Sequence, residues 1–302
     1  MKRRQQGILT GMPFMANIAS RTFVDDLGRK LYLPHPPRRM VSLAPNITET
    51  LFALGAGDHV IAVTPCCDYP SEAAHKVKIE EAGFHPDALI PFNSDLILAP
   101  RAVADSALID KVEQTKIPLY VMDVKTVEDV LSHLHMIGRM LACVQAATKL
   151  VADMRRRIQQ VKERTATLSH PRLLYVLNRR PLMTVGSGHF IHQLIEYAGA
   201  KNIAAAMTGQ PCEAISMEEV RRQDPDALVF PLGGSEGIQE EELRQWLHRE
   251  GLDNVGTKRF YMIDSAIIAR PGPRIVEGLE RLAAWLHPDA FEETMPAGSS
   301  ST

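Results

Sequence analysis

The chain has 302 residues, 45% hydrophobic and 23% charged, which suits a soluble protein of two ordinary domains better than one small core. Its 34 basic residues against 36 acidic ones exclude a partner recognised by global charge, nucleic acid or an anionic membrane surface. Four cysteines are too few for a disulfide scaffold.

The chain opens with Met1-Lys2-Arg3-Arg4 and then "GILTGMPFMANIAS", the basic-then-apolar order of a secretory signal, interrupted by Gly7, Gly11, Pro13 and Asn17. Residues 1–21 are therefore read as a weak signal-like or disordered segment, and because no cysteine precedes Cys66 a lipoprotein anchor is not expected. Residues 22–125 read as an N-terminal α/β lobe. "TFVDDLGRKLYLP" has two short β-prone runs around Asp25-Asp26-Leu27-Gly28, a hairpin pattern. "MVSLAP" is an apolar strand, followed by Asn46 and the helix "ITETLFALGA", which Gly55 and Gly57 close. "HVIAVT" is the next strand, then a loop holding Cys66 and Cys67, a helix at "PDALIPFN", and strands at "SDLILAP" and "IPLYVMD". Apolar strands alternating with helices predict a parallel sheet covered on both faces.

From Thr126 the pattern changes. Leu131, Leu134, Leu141, Val144, Val151, Met154, Ile158 and Val161 recur at helical spacing, and no proline occurs between Pro118 and Pro171. This predicts one linking helix over 126–168, about 40 residues and about 60 Å long, a strut between two lobes. A coiled coil is the competing reading, but the spacing drifts and the stripe includes His133 and Cys143. Residues 169–288 then repeat the first theme as a C-terminal α/β lobe: strand "RLLYVL", loop "TVGSGH", helix "FIHQLIEYAGA", the helix–strand run "MEEVRRQDPDALVFP", strand "RFYMID", the rigid turn "RPGP" and a last amphipathic helix "RIVEGLERLAAWLHP". Residues 289–302 are expected to be a disordered tail.

Catalytic signatures are missing. Gly55-Ala56-Gly57 ends a helix where a dinucleotide fingerprint must open one, Gly186-Ser187-Gly188 lacks the spacing of a nucleophile elbow, and there is no P-loop. His133 and His135 lie about 200° apart on a helical wheel and cannot clamp one ion together. A bridge between adjacent Cys66 and Cys67 would hold Cα atoms about 3.8 Å apart, below the usual disulfide range, and no Cys-x-x-Cys redox motif exists. In extended chain neighbouring side chains diverge, so at most one of the two thiols need face a cleft.

The ordered combination of "SLAPNITETLFALG", "CDYP", a helical strut and "RPGPR", spread over Thr22 to Pro288, resembles the helical-backbone substrate-binding proteins of bacterial ABC importers, nearest their cobalamin-binding branch. The resemblance implies two Rossmann-like lobes joined by one long backbone α-helix, with ligand in the cleft between them. It implies a corrinoid or related metal chelate as cargo, no intrinsic cofactor, no enzymatic chemistry, an ABC importer permease as partner, a monomer, and a periplasmic location. Carried over by position, the cleft would be lined by Asn46, Cys66 and Arg101 from the first lobe and Met183, Cys212 and Arg270 from the second. Cobalamin binders place aromatic rings where this chain has Cys66 and Cys212, and a further one near Glu81. The two cysteines then either offer soft thiolate ligands to a metal or, as small residues, leave space for a bulky ligand. For permease docking the resemblance points to Asp87 and Glu218, with Glu219 as alternate, although acids at helix starts are also favoured by the helix dipole. The competing readings are a haem or iron-siderophore binder, and a cytoplasmic corrinoid- or metal-binding protein or enzyme on the same scaffold.

Overall fold

The structure, a computed structural model, describes residues 21–79, 86–207, 209–233, 240–251 and 259–291. The signal-like segment before Arg21, Glu81 and the chain beyond Phe291 lie outside the described residues.

The first lobe begins with the expected hairpin, β1 (Thr22–Val24) antiparallel to β2 (Lys30–Tyr32). Its five-stranded sheet is built from β3 (Met40–Ser42), β4 (Val60–Val63), β5 (Val77–Lys78), β6 (Leu96–Pro100) and β7 (Leu119–Met122), all parallel, in the order β5-β4-β3-β6-β7. Helix α1 (Pro45–Ala53) follows β3, with Pro45 at its first turn where a missing N–H costs nothing. Helix α2 (Ser106–Thr115) joins β6 to β7 and is capped by Asp105, whose carboxylate accepts from the Leu108 N–H. The segment Pro86–Phe92 is a 3-10 helix. Strands β3 and β7 are buried along their whole length, as both-faced coverage requires.

The connection between lobes departs from the single helix expected over 126–168. It is a pair, α3 (Val127–Met140) and α4 (Val144–Thr165), folded back on each other. Near the turn, a Cβ added at Gly138 would meet the Ala147 Cβ at 2.4 Å; at the far end Glu128 pairs with Arg155. The break is made by Ala142 in the left-handed region (φ +58°), with the Cys143 N–H donating back to the Gly138 carbonyl at 2.8 Å. Val144, counted into the apolar stripe by its spacing, is instead 48% exposed at the turn. The tip of the pair (Ile137, Met140, Ala147) packs into the first lobe, and its open end (Val127, Val130, Leu131, Leu134, Val151, Met154, Ile158, Val161) into the second.

The second lobe contains β8 (Arg172–Arg179), β9 (Leu182–Val185), α5 (Phe190–Tyr197), β10 (Lys201–Asn202), β11 (Cys212–Ala214), α6 (Met217–Gln223), β12 (Ala227–Leu232), α7 (Glu240–Arg249), β13 (Arg259–Asp264), α8 (Ser265–Ile268), α9 (Ile275–Leu286) and α10 (Pro288–Phe291). Its sheet runs β11-β9-β8-β12-β13, with β10 also on β8. Strands β8, β12 and β13 are parallel, but β9 and β11 are antiparallel additions, so the second lobe is not a plain repeat of the first. Thr184 and Val185, read as loop, are buried strand. Part of the expected tail is also ordered: Phe291 in α10 is 4% exposed and belongs to the second-lobe core.

Candidate functional site

In parallel α/β sheets ligands sit outside the carboxyl ends of the strands. Three segments leave the first-lobe sheet at those ends: Leu43–Ala44 leading into the first turn of α1 after β3, Thr64–Asp68 after β4, and Arg101 onward after β6. The second lobe answers with the Arg270–Arg274 turn between α8 and α9.

These loops meet. Asn46 Nδ2 donates to the Pro271 carbonyl at 3.3 Å, and Gly272 lies so close to Asn46 that an added Cβ would stand 3.3 Å from the Asn46 Cβ. The Glu49 carboxylate accepts from the Arg274 Nε at 2.7 Å and from the Arg274 backbone N–H at 2.9 Å. The Arg274 guanidinium lies over the Tyr69 ring, 3.7 Å from its centroid. Arg270 reaches Asp68 with Nη1 at 2.6 Å and Nη2 at 3.3 Å. Every contact joins one lobe to the other.

The electrostatics follow from burial. Glu49 is 4% exposed, and desolvation pushes its carboxyl above the usual range despite the bonds from Arg274. Asp68 is largely exposed, and its bond from Arg270 holds its carboxyl below the usual range.

The Cys66–Cys67 loop divides as its alternation predicts. Cys67 is buried beneath Thr48 and Thr64, whose hydroxyls lie 3.1 Å and 3.0 Å from its sulfur, while Lys78 Nζ donates to its carbonyl at 2.7 Å. Cys66 is exposed, with Thr64 Oγ1 3.2 Å away, and stands close to Arg270. All four thiols are unbridged.

Of the residues expected to line the cleft, the structure brings Asn46 and Arg270 to the seam, with Cys66 beside them. Arg101, just after β6, donates from Nη1 to the Ala104 carbonyl at 2.9 Å within its own loop. Met183 and Cys212 stand together on the β9–β11 ladder, where Met183 opposes Ala214 and Cys212 opposes Val185. Burial pushes the Cys212 thiol up, away from the thiolate form that binds metals. Among the described residues no group of three or more His, Cys, Asp and Glu is placed to hold a metal ion. Glu49, Asp68, Tyr69 and Arg274 were not among the expected liners, although each lies inside "NITET", "CDYP" or "RPGPR".

The two acids considered for docking are both on the surface. Asp87 is in the Pro86–Phe92 turn and pairs with Lys111 at 2.6 Å; Glu218 is exposed in the first turn of α6. Glu219 pairs with Arg222 and Gln223, and its backbone N–H donates to the capping Ser216 hydroxyl. A separate cavity of about 430 Å³ is lined by Arg179, Arg180, Glu242, Gln245 and Arg249, none of them a seam residue. Among the described residues no helix is long and apolar enough to cross a membrane.

Two α/β lobes, a helical connection and a polar seam between strand-end loops define a two-lobed binding protein. The chain belongs to the periplasmic binding protein family, whose profile matches residues 40–243. It is 28% identical over 280 residues to the uncharacterized ABC transporter substrate-binding lipoprotein YvrC of Bacillus subtilis (strain 168), covering 90% of this chain and 87% of that one. It is 26% identical over 261 residues to a vitamin B12-binding protein of Vibrio parahaemolyticus, covering 82% and 93%. Among solved structures, the periplasmic vitamin B12 binding protein BtuF of Vibrio cholerae superposes with a TM-score of 0.72 at 23% identity, covering 87% of this chain and all of that one (100%). The periplasmic heme-binding protein RhuT from Roseiflexus sp. RS-1 superposes with a TM-score of 0.73 at 21% identity, covering 84% and 99%.

Proposed function

We propose that this protein captures a corrinoid, or a closely related metal chelate, between its two lobes and delivers it to the permease of an ABC importer, in the periplasm. The observation that carries this reading is the convergence of Asn46, Asp68, Tyr69 and Arg270 on one interlobe seam, at strand ends where α/β folds bind ligands. The sequence kinship with a vitamin B12-binding protein favours the corrinoid, and the equally good superposition on a heme binder keeps haem as the competing cargo. Asn46, Cys66, Arg101, Met183, Cys212 and Arg270 line the cleft in this reading, with the two cysteines making room for a bulky ring instead of ligating its metal. Asp87 and Glu218 face the permease.

The test is an absorbance titration of the purified protein with cyanocobalamin, haemin and a ferric siderophore, together with the spectrum of whatever chromophore co-purifies from the native host. Saturable binding of cyanocobalamin without turnover, retained in Cys66→Ser and Cys212→Ser, is the expected result. Binding of haemin alone would transfer the proposal to the competing cargo, and catalytic turnover of a bound chelate would end it.

A further inference from the structure

Both guanidiniums that the second lobe brings to the seam are already matched by first-lobe carboxylates. Arg274 is held by Glu49 and covered by Tyr69, and Arg270 is held in bidentate fashion by Asp68. The formal charges of the four groups cancel, so these two pairs themselves offer an arriving ligand no excess of positive charge. The two pairs differ in access. The arginines are alike, Arg274 19% and Arg270 21% exposed, but the Glu49 side chain is 4% exposed and that of Asp68 63% exposed at the rim. A pair whose carboxylate is this open to water is screened and adds little to stability.

We propose that Asp68 is a specificity-determining residue: by occupying Arg270 across the cleft, it selects a chelate with an uncharged, amide-bearing periphery over one bearing carboxylates. The inference rests on the chelate-binding reading above and names the charge class of the cargo. A ligand carboxylate approaching Arg270 must either displace Asp68 or lie beside it, and like charges at such separations repel. A primary amide meets no such obstacle. Its carbonyl can accept from the Arg270 donors that Asp68 does not use, and its N–H can donate to the Asp68 oxygens, which retain further acceptor sites. The fixed carboxylate therefore works as negative discrimination against anionic periphery and as a hydrogen-bond partner for amides.

The experiment compares two corrinoids that share a ring and differ at its edge: dicyanocobinamide, with peripheral amides, and dicyanocobyrinic acid, with carboxylates. Dissociation constants are measured for the wild-type protein, Asp68→Asn, and the double variant Asp68→Asn/Arg270→Gln, with thermal melting confirming that each is folded. The wild-type protein should prefer the amide form. Asp68→Asn should shift the ratio of affinities at least tenfold toward the acid, and removing Arg270 as well should reverse that shift. A wild-type preference for the acid, or a ratio unmoved by Asp68→Asn while both corrinoids still bind, overturns the inference and leaves the chelate-binding reading intact. If the wild-type protein binds neither these corrinoids nor any chelate of the earlier titration, that reading fails and the inference falls with it.

Discussion

Arg274 makes three contacts with two partners: its side chain meets the Glu49 carboxylate and the Tyr69 ring, and its backbone N–H donates to the same carboxylate. Removing its side chain would strand Glu49 in a site 4% exposed to water. Breaking a buried pair by deleting one member costs about 3–5 kcal/mol, against about 0–1 kcal/mol for an exposed pair. Arg274→Ala should therefore lower unfolding stability by about 3 kcal/mol in urea titrations, and Glu49→Ala/Arg274→Ala by less than the sum of the single losses. A loss below about 0.5 kcal/mol would mean that the pair is solvated like a surface contact. Nothing in local spacing announces this residue, because Arg274 and Glu49 are separated by 225 positions. Asn46 and Arg270 were legible only through the resemblance, and that resemblance pointed to ligand contacts. The motifs that carry it, "NITET", "CDYP" and "RPGPR", turn out also to bind the lobes to each other. Arg101 follows β6 at a strand end that fits the cleft, and its Nη1 also holds the Ala104 carbonyl of its own loop.

At the level of elements, the alternating strands and helices of the first lobe could be read because fully buried parallel strands leave continuous apolar runs bounded by turn residues. The break between α3 and α4 could not. It uses Ala142 in the left-handed region, a place where glycine is the usual residue, so the sequence carries neither a glycine nor a proline to mark it. The apolar stripe continues across the break because both helices need a buried face, and spacing alone cannot distinguish one long helix from two that fold together. Strand β9 was hidden for a related reason: it is only four residues long and adjoins the glycine-rich Gly186–Gly188 turn. A left-handed Ala costs roughly 1 kcal/mol that glycine avoids. Ala142→Gly should accordingly raise the melting temperature by a few degrees, while Gly138→Ala should lower it, because its new methyl would overlap the Ala147 Cβ at 2.4 Å. If Ala142→Gly is destabilising, the turn at 141–143 is not the strained cap described above.

For the whole molecule, the linking pair matters because both of its helices span the two lobes: its tip lies in one core and its open end in the other. Such a connection, together with the Glu49–Arg274 seam, limits how far the lobes can swing, so that a partner meets surfaces on both lobes in a defined relation. Asp87 on the first lobe and Glu218 on the second are suited to report on that partner, since each is exposed and neither belongs to the seam. Releasing Asp87 from Lys111 gives up an exposed pair worth about 0–1 kcal/mol, so docking could compete for it at small cost. Placing lysine in the first turn of α6 costs about 0.3–1 kcal/mol against the helix dipole, too little to unfold the lobe. The variant Asp87→Lys/Glu218→Lys should thus keep its melting behaviour and its chelate affinity while losing uptake in cells that depend on this protein for import. Uptake at the wild-type rate would show that the two acids only complement their helix starts, and loss of chelate binding in the same variant would place their role in the cleft.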